Sequence, residues 1–477
     1  MRVIKAISSF LLFLLAIHFF LTPYSQSQED INEEYWMGIY SGDERVGYSY
    51  NSIKKVQEFT EIKELTNLRI NLLGKDNDVY TEGTYKLEGY KILSFEYEMK
   101  SDSISLKAIG KRNGDNLEIT MKTISGKTER TLSIEKELIL PSLISKLLVE
   151  NKLNTGDKFN LSLFEPLSIL MGMNEPVSTH IIGEKETVEI PYGKFDTYKV
   201  ESNFMGSQTT SWINEKGEVI KQEFPPGLVA VRESKKDILS KKNSSFDITK
   251  KTSIPANIKI KDPGKLKYLK IKLEGIDASD GFDIDDGYRQ YLEGQFVEIK
   301  LDKAKLNQSS YTLPYSSSEY KQLTEADFLI QSDDKEIVAI TNKILDGETD
   351  PIKAANKINN WIYKNLKKSA TVSLPNAKDV LTTRVGDCNE HAALFSAMSR
   401  AAGIPTKTVL GTMYYEDSFY YHAWNEVYVG EWIAIDSTYG QFPADATHIK
   451  LIEGNLAKSG EILKVVGKLN IEIIDAS

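Results

Sequence analysis

Cysteine is almost missing from this chain: Cys388 is the single one in 477 residues. One thiol excludes any intramolecular disulfide, so stability must come from hydrophobic cores and not from covalent staples. Basic charge is also in deficit, with 59 Lys and Arg against 68 Asp and Glu. Nothing in that balance suggests binding to nucleic acid. What is present, 27% charged and 10% aromatic residues, fits folded globular domains and argues against extended disorder.

At the N-terminus Arg2 and Lys5 precede an apolar run from Ala6 to Leu21, followed by Thr22-Pro23 and a small-residue site at Ser25-Gln26-Ser27. This is the pattern of a secretory signal. Residues 1–27 are expected to direct export, either cut after Ser27 or kept as an anchor, because Val3 to Leu21 approaches membrane-spanning length. The protein is thus expected outside the cytoplasm, whether periplasmic, secreted or anchored, and an uncut anchor is its one expected tie to a membrane. Without Arg2 and Lys5 there remain 57 basic and 68 acidic side chains, a net charge of −11.

The remaining length allows roughly three domains. Residues 28–233 read as a β-rich domain: alternating segments such as Val46–Ile53, Val79–Leu87 and Ile92–Met99 are punctuated by turns at Gly42-Asp43, Gly74-Lys75 and Asn113-Gly114-Asp115. One helix is expected to open at Pro141, with Ile144, Leu147 and Leu148 on one side. His180 stands isolated in this domain, and no catalytic constellation accompanies it. Residues 234–253, rich in Lys and Ser, read as a solvated linker or exposed strand. Residues 254–325 read as a small β module in which Leu266–Leu273 is answered by Phe296–Leu301. It contains the acidic stretch Asp277 to Gly287. Aligned on Gly287, the first and third calcium-loop ligand positions would be Phe282 and Ile284, so the loop fails that template. No metal and no cofactor is expected.

Residues 326–477 hold the chemistry. Two helices come first, one capped near Ser332 or Asp333, the other with Asp350 as N-cap and Pro351 at its first position. Trp361 on the second is read as core, with a cleft wall or oxyanion donor as its alternative. Then comes Gly386-Asp387-Cys388-Asn389-Glu390-His391-Ala392, where Asp387 and Glu390 have the spacing of a capping box. A helix should run from Cys388 to about Ala402 and stop at Gly403. A thiol at its first turn faces free N–H groups and the positive end of the helix dipole, which predicts a lowered pKa. Cys388, Ala392, Phe395, Ser399 and Ala402 would share the inward face.

Tyr420–Val429 and Trp432–Asp436 read as two strands joined through Gly430-Glu431. Their register decides the chemistry. A two-residue loop would put Asp436 on the opposite face from His422. A three-residue loop pairing Tyr428 with Trp432 sets Asp436 opposite Trp424, diagonal to His422 on the same face. The second is expected, with Gly430 or Glu431 left-handed. Cys388, His422 and Asp436 then make a nucleophile, a base and an orienting acid. His448 is expected at the surface, and the tail from Glu461 to Ile474 alternates like a closing strand pair.

Gly-Asp-Cys-x-Glu-His-Ala before a helix ending Ala-Gly-Ile-Pro, then Tyr-His-Ala-Trp-Asn-Glu-Val and Trp-Ile-Ala-Ile-Asp-Ser-Thr, resembles the transglutaminase-like core of bacterial proteins. The resemblance is close from Ala377 to Glu453. It implies an α+β architecture, a papain-like transglutaminase-like domain preceded by antiparallel β domains, with acyl-transfer chemistry at Cys388, His422 and Asp436. The expected activity is thiol-dependent attack on amide bonds of an extracytoplasmic peptide or protein, with hydrolysis favoured over isopeptide cross-linking. A non-enzymatic binding or assembly protein is the rival from another class.

Overall fold

Period-two alternation builds the N-terminal part of the molecule. In Lys75–Glu88, for example, Asn77, Val79, Thr81, Tyr85 and Leu87 are buried while Asp76, Asp78, Lys86 and Glu88 face solvent. A computed structural model describes residues 32–72, 74–102, 105–173, 176–277, 281–301, 309–370, 375–454 and 461–477. The expected signal at residues 1–27 lies outside them. Among the described residues no helix is long and apolar enough to cross a membrane. The chain divides into two units, with the boundary between Ile248 and Thr249.

The N-terminal unit is one long, predominantly antiparallel sheet made of two meanders. The first runs from Gly126–Ser133 back, neighbour by neighbour, to Asn32–Ser41; that strand pairs with Leu228–Arg232, from which the second runs back to Lys158–Ser162. Its core includes Tyr85, Phe95 and Phe164, whose rings meet edge to face. The helix expected at Pro141 begins as a 3₁₀ turn, Pro141–Leu143, and continues as Ile144–Glu150. The lysine-rich stretch after residue 233 is folded: Ser234 caps the helix Lys235–Ser240, and buried Phe246 pairs in parallel with Ile70.

The C-terminal unit is α+β. Tyr268–Glu274 and Phe296–Lys300 pair as expected, and Gln290–Glu293 and Asn470–Ala476 flank them to complete a four-stranded sheet. The tail therefore supplies one strand where a pair was expected. The catalytic candidates lie on other elements: helices α1 (Lys335–Leu345), α2 (Pro351–Asn365), α3 (Ala377–Thr383) and α4 (Cys388–Ala401), and strands β1 (Thr406–Tyr415), β2 (Ser418–Tyr428), β3 (Trp432–Ile435) and β4 (His448–Gly454). Asp334 caps α1 and Asp350 caps α2, with Pro351 at its first position. In the sheet β1 lies between β4 and β2, and β3 pairs with the far edge of β2. At Gly411 on β1 a Cβ would come within 1.9 Å of the Ile449 carbonyl oxygen and 2.8 Å of the Trp424 ring, so glycine is what lets β4 and Trp424 close in.

Candidate active site

The capping box is formed. The Glu390 carboxylate accepts from the Asp387 N–H at 2.8 Å, and the Asp387 carboxylate accepts from the first-turn N–H groups of α4. Gly403, with φ +78°, follows its last turn. Burial does not follow the one-sided pattern expected for this helix. Cys388 and every residue from Glu390 to Arg400 are buried, because α4 is enclosed by α1, α2 and α3 on one side and by β1 and β2 on the other. Asn425 ties the helix to the sheet, its amide donating to the Ala392 carbonyl at 3.1 Å and to Ser396 Oγ at 2.8 Å.

That enclosure overturns the expected pKa of Cys388. Burial of the thiol pushes it well above the ordinary value and the Asp387 carboxylate adds to the rise, against an opposing hydrogen bond from the Ala423 N–H. The helix dipole is a surface-strength effect, whereas removing a thiolate from water is costly, so burial wins. In this state the thiol is protonated.

The hairpin has the expected register. Tyr428 pairs with Trp432 and Asn425 with Ile435, and Gly430 takes φ +117°. Asp436 follows directly and meets His422: His422 Nε2 donates to Asp436 Oδ2 at 2.9 Å. The other ring nitrogen, Nδ1, is buried and carries no hydrogen bond. Ring neighbours of His422 include Trp424, 6.2 Å away and nearly parallel, and Tyr439, 5.7 Å away. Cys388 is brought to this strand by the Ala423 N–H, the residue after His422. Trp361 carries the Arg384 guanidinium 4.4 Å over its ring.

His448 lies elsewhere than expected. It is fully buried at the start of β4, and its Nε2 bonds the same Asp436 Oδ2 at 3.0 Å. Its Nδ1 lies 3.2 Å from Asp445 Oδ1, and its pKa is raised to about 9: burial works against the charge, but Asp445 and Asp436 outweigh it. Asp436 is held well below the usual carboxylate range, since the two imidazoles overcome the cost of burying it. Its other oxygen accepts from the Thr438 N–H at 2.7 Å. A lone histidine beyond the motif carried no sequence signal of this role; the hint available was that Ile449 and Leu451 mark β4 as a buried strand.

His422, Asp436 and His448 each place a polar atom within 4.8 Å of the others, but ring nitrogens that donate to a carboxylate have no lone pair left for a cation. Both contacts onto Asp436 have the length of N–H···O bonds, so each Nε2 carries a proton. The acidic stretch instead caps its own turn: Asp286 accepts from the N–H groups of Tyr288, Arg289 and Gln290. It also pairs with buried Lys450, which bonds Glu426 and Glu453 and so ties β4 to β2.

A thiol opens an enclosed helix, an imidazole lies on the adjoining strand, and a carboxylate follows the end of the next strand. Residues 338–437 match the family model of the transglutaminase-like superfamily. Among curated proteins, an uncharacterized protein of Haemophilus influenzae (strain ATCC 51907 / DSM 11121 / KW20 / Rd) is 37% identical over 75 residues, which is 15% of this chain and 20% of that protein. Kyphoscoliosis peptidase of Mus musculus is 38% identical over 84 residues, 15% of this chain and 12% of that protein. The match thus spans a fifth or less of the length of either relative. Among solved structures, a candidate cysteine protease from Cytophaga hutchinsonii aligns at 17% identity and TM-score 0.29 over 44% of this chain and 84% of its own. A β-barrel-like protein of a domain of unknown function from Brucella abortus aligns at 11% identity and TM-score 0.31 over 45% and 98%.

Proposed function

We infer that the C-terminal unit is a thiol acyl-transfer enzyme that attacks amide carbonyls of peptides or proteins, using Cys388 as nucleophile, His422 as base and Asp436 as its orienting acid. The observation that carries this is the His422–Asp436 bond, which commits Nε2 and leaves Nδ1 without a partner beside the strand position that holds the thiol. Because Cys388 rests protonated, its proton passes to Nδ1 as Sγ adds to the carbonyl carbon. The tetrahedral adduct collapses to a thioester, and the leaving amine takes that proton from Nδ1. Water then attacks the thioester, gives its proton to Nδ1 and releases the acid, and the proton returns to sulfur. A lysine amine in place of water would give an isopeptide. Hydrolysis is the favoured outcome, since water needs no seat of its own. The N-terminal signal pattern sends this activity outside the cytoplasm.

A second reading has an observation of its own. A fully enclosed thiol with a raised pKa is also what an idle cysteine in a binding or assembly protein would have. The test is to incubate the protein without residues 1–27 with a quenched fluorescent peptide library, and separately with a glutamine-containing protein and a fluorescent primary amine. Peptide cleavage lost in Cys388→Ala supports hydrolysis, and amine incorporation lost in the same variant supports cross-linking. Neither activity under any condition, with the protein folded, gives the site to the idle-thiol reading.

A further inference from the structure

His448 sits between two carboxylates. Its Nε2 faces Asp436 Oδ2 at 3.0 Å, and its Nδ1 faces Asp445 Oδ1 and the Asp445 carbonyl oxygen, both at 3.2 Å. Every one of these partners is an acceptor, so both ring nitrogens must donate and the ring is an imidazolium. Asp445 is itself fixed: Oδ1 accepts from the Thr447 N–H at 2.9 Å and its hydroxyl at 2.6 Å, and Oδ2 accepts from Gln441 Nε2 at 2.7 Å. Arg289 Nη1 donates to the His448 carbonyl oxygen at 2.8 Å. The imidazole centroids of His448 and His422 are 5.6 Å apart, with Trp424 packed 5.2 Å from His448. Other ionisable groups near Asp436, among the described residues, include Cys388, His391 and half-buried Lys368.

A buried carboxylate that faces a single imidazole puts its whole negative charge on one ring, whereas a base must be held without being bound too tightly to its orienting acid. A second, charged imidazole on the same oxygen offsets that charge. It also leaves Asp436 little freedom to rotate, because Thr438 holds Oδ1 and two N–H groups hold Oδ2.

We propose that His448 is a positioning residue of this site: an imidazolium clamped between Asp445 and Asp436, it fixes the Asp436 carboxylate and balances its charge, so that His422 is oriented yet free to accept the thiol proton. This rests on the acyl-transfer reading of Cys388, His422 and Asp436. Any substrate must therefore be processed with Asp436 shared between two rings and not dedicated to one.

The test compares the wild-type chain with His448→Gln, which can keep a donor on Asp436 but loses the charge, and with His448→Leu, which loses both. p-Nitrophenyl acetate serves as the acyl donor, acetylation of Cys388 is followed by intact mass, and melting curves verify that each variant is folded. His448→Leu is expected to acetylate about 10- to 100-fold more slowly, the range for losing a hydrogen bond to a charged group. His448→Gln recovers most of the rate, while in both variants the acid limb of the pH–rate profile moves up. Unchanged rates and limbs in both folded variants overturn the proposal. Independently of any reaction, nitrogen-detected NMR of the ¹⁵N-histidine-labelled wild type at pH 7 should show protons on both nitrogens of His448, and a neutral His448 overturns it as well. No acetylation of the wild type overturns instead the acyl-transfer reading, with the NMR result still deciding the state of His448.

Discussion

Each unit buries a histidine completely, and the two are treated in opposite ways. His180, in the N-terminal sheet, has Ser178 Oγ 2.6 Å from one ring nitrogen and Ser202 Oγ 2.9 Å from the other. Hydroxyls can accept or donate, so the ring stays neutral, and burial lowers its pKa to about 4. His448, in the C-terminal unit, has carboxylates at both nitrogens and a pKa of about 9. Equal burial with opposite charge shows that the partners decide the protonation state. It also separates a histidine that fills a β core from one that shares a buried carboxylate with a second histidine.

The largest effect that would sharpen this contrast lies on the catalytic side. His422→Ala and Asp436→Asn should each slow acetylation of Cys388 by about 10²- to 10⁴-fold, read by intact mass; a loss under threefold in either would break the link between the buried histidines of this unit and the thiol. Next, burial should make Cys388 alkylate with iodoacetamide at least about tenfold more slowly at pH 8 in the folded chain than in urea. Equal rates would mean the thiol is already open to solvent and not raised in pKa.

Stability should then respond to pH with opposite sign at the two histidines. For His448 the folded pKa lies above the unfolded one, so its contribution is full below about 6.5 and is lost as pH rises through about 9. For His180 the folded pKa lies below, so its contribution is full above about 6.5 and declines as pH falls toward about 4. Melting of His448→Gln against wild type should therefore differ most near pH 6 and least above pH 9, while His180→Gln should show its largest deficit at neutral pH and its smallest near pH 4. Profiles of the same sign would contradict the assignment of charge. Asn425→Ala, which removes two side-chain hydrogen bonds to α4, should cost about 1–3 kcal/mol in denaturant unfolding. Smallest of all, His180→Gln should leave acetylation of Cys388 within about twofold.

The parts of this structure that local rules govern could be read from the residues. The capping box at Asp387 and Glu390, the stop at Gly403, the proline-led helices and the alternating strands each depend on neighbours a few positions apart. Even the diagonal placing of Asp436 and His422 followed from loop length, because a strand's period of two turns a one-residue choice into a choice of face. What escaped depends on distant segments. The raised pKa of Cys388 comes from three helices and two strands closing around α4, and the second hydrogen bond on Asp436 comes from β4 returning beside β1. Neither enclosure leaves a mark on the residues near the motif. The order of strands in the N-terminal sheet, where Asn32–Ser41 meets Leu228–Arg232, is long-range in the same sense.

The most direct measurement is the mass of the intact protein after brief exposure to p-nitrophenyl acetate, quenched in acid so that a thioester survives. The account predicts one added acetyl group, mapped to Cys388, absent in Cys388→Ala and slowed at least about a hundredfold in His422→Ala. An unmodified wild type, or acetylation that proceeds equally in His422→Ala, would contradict it.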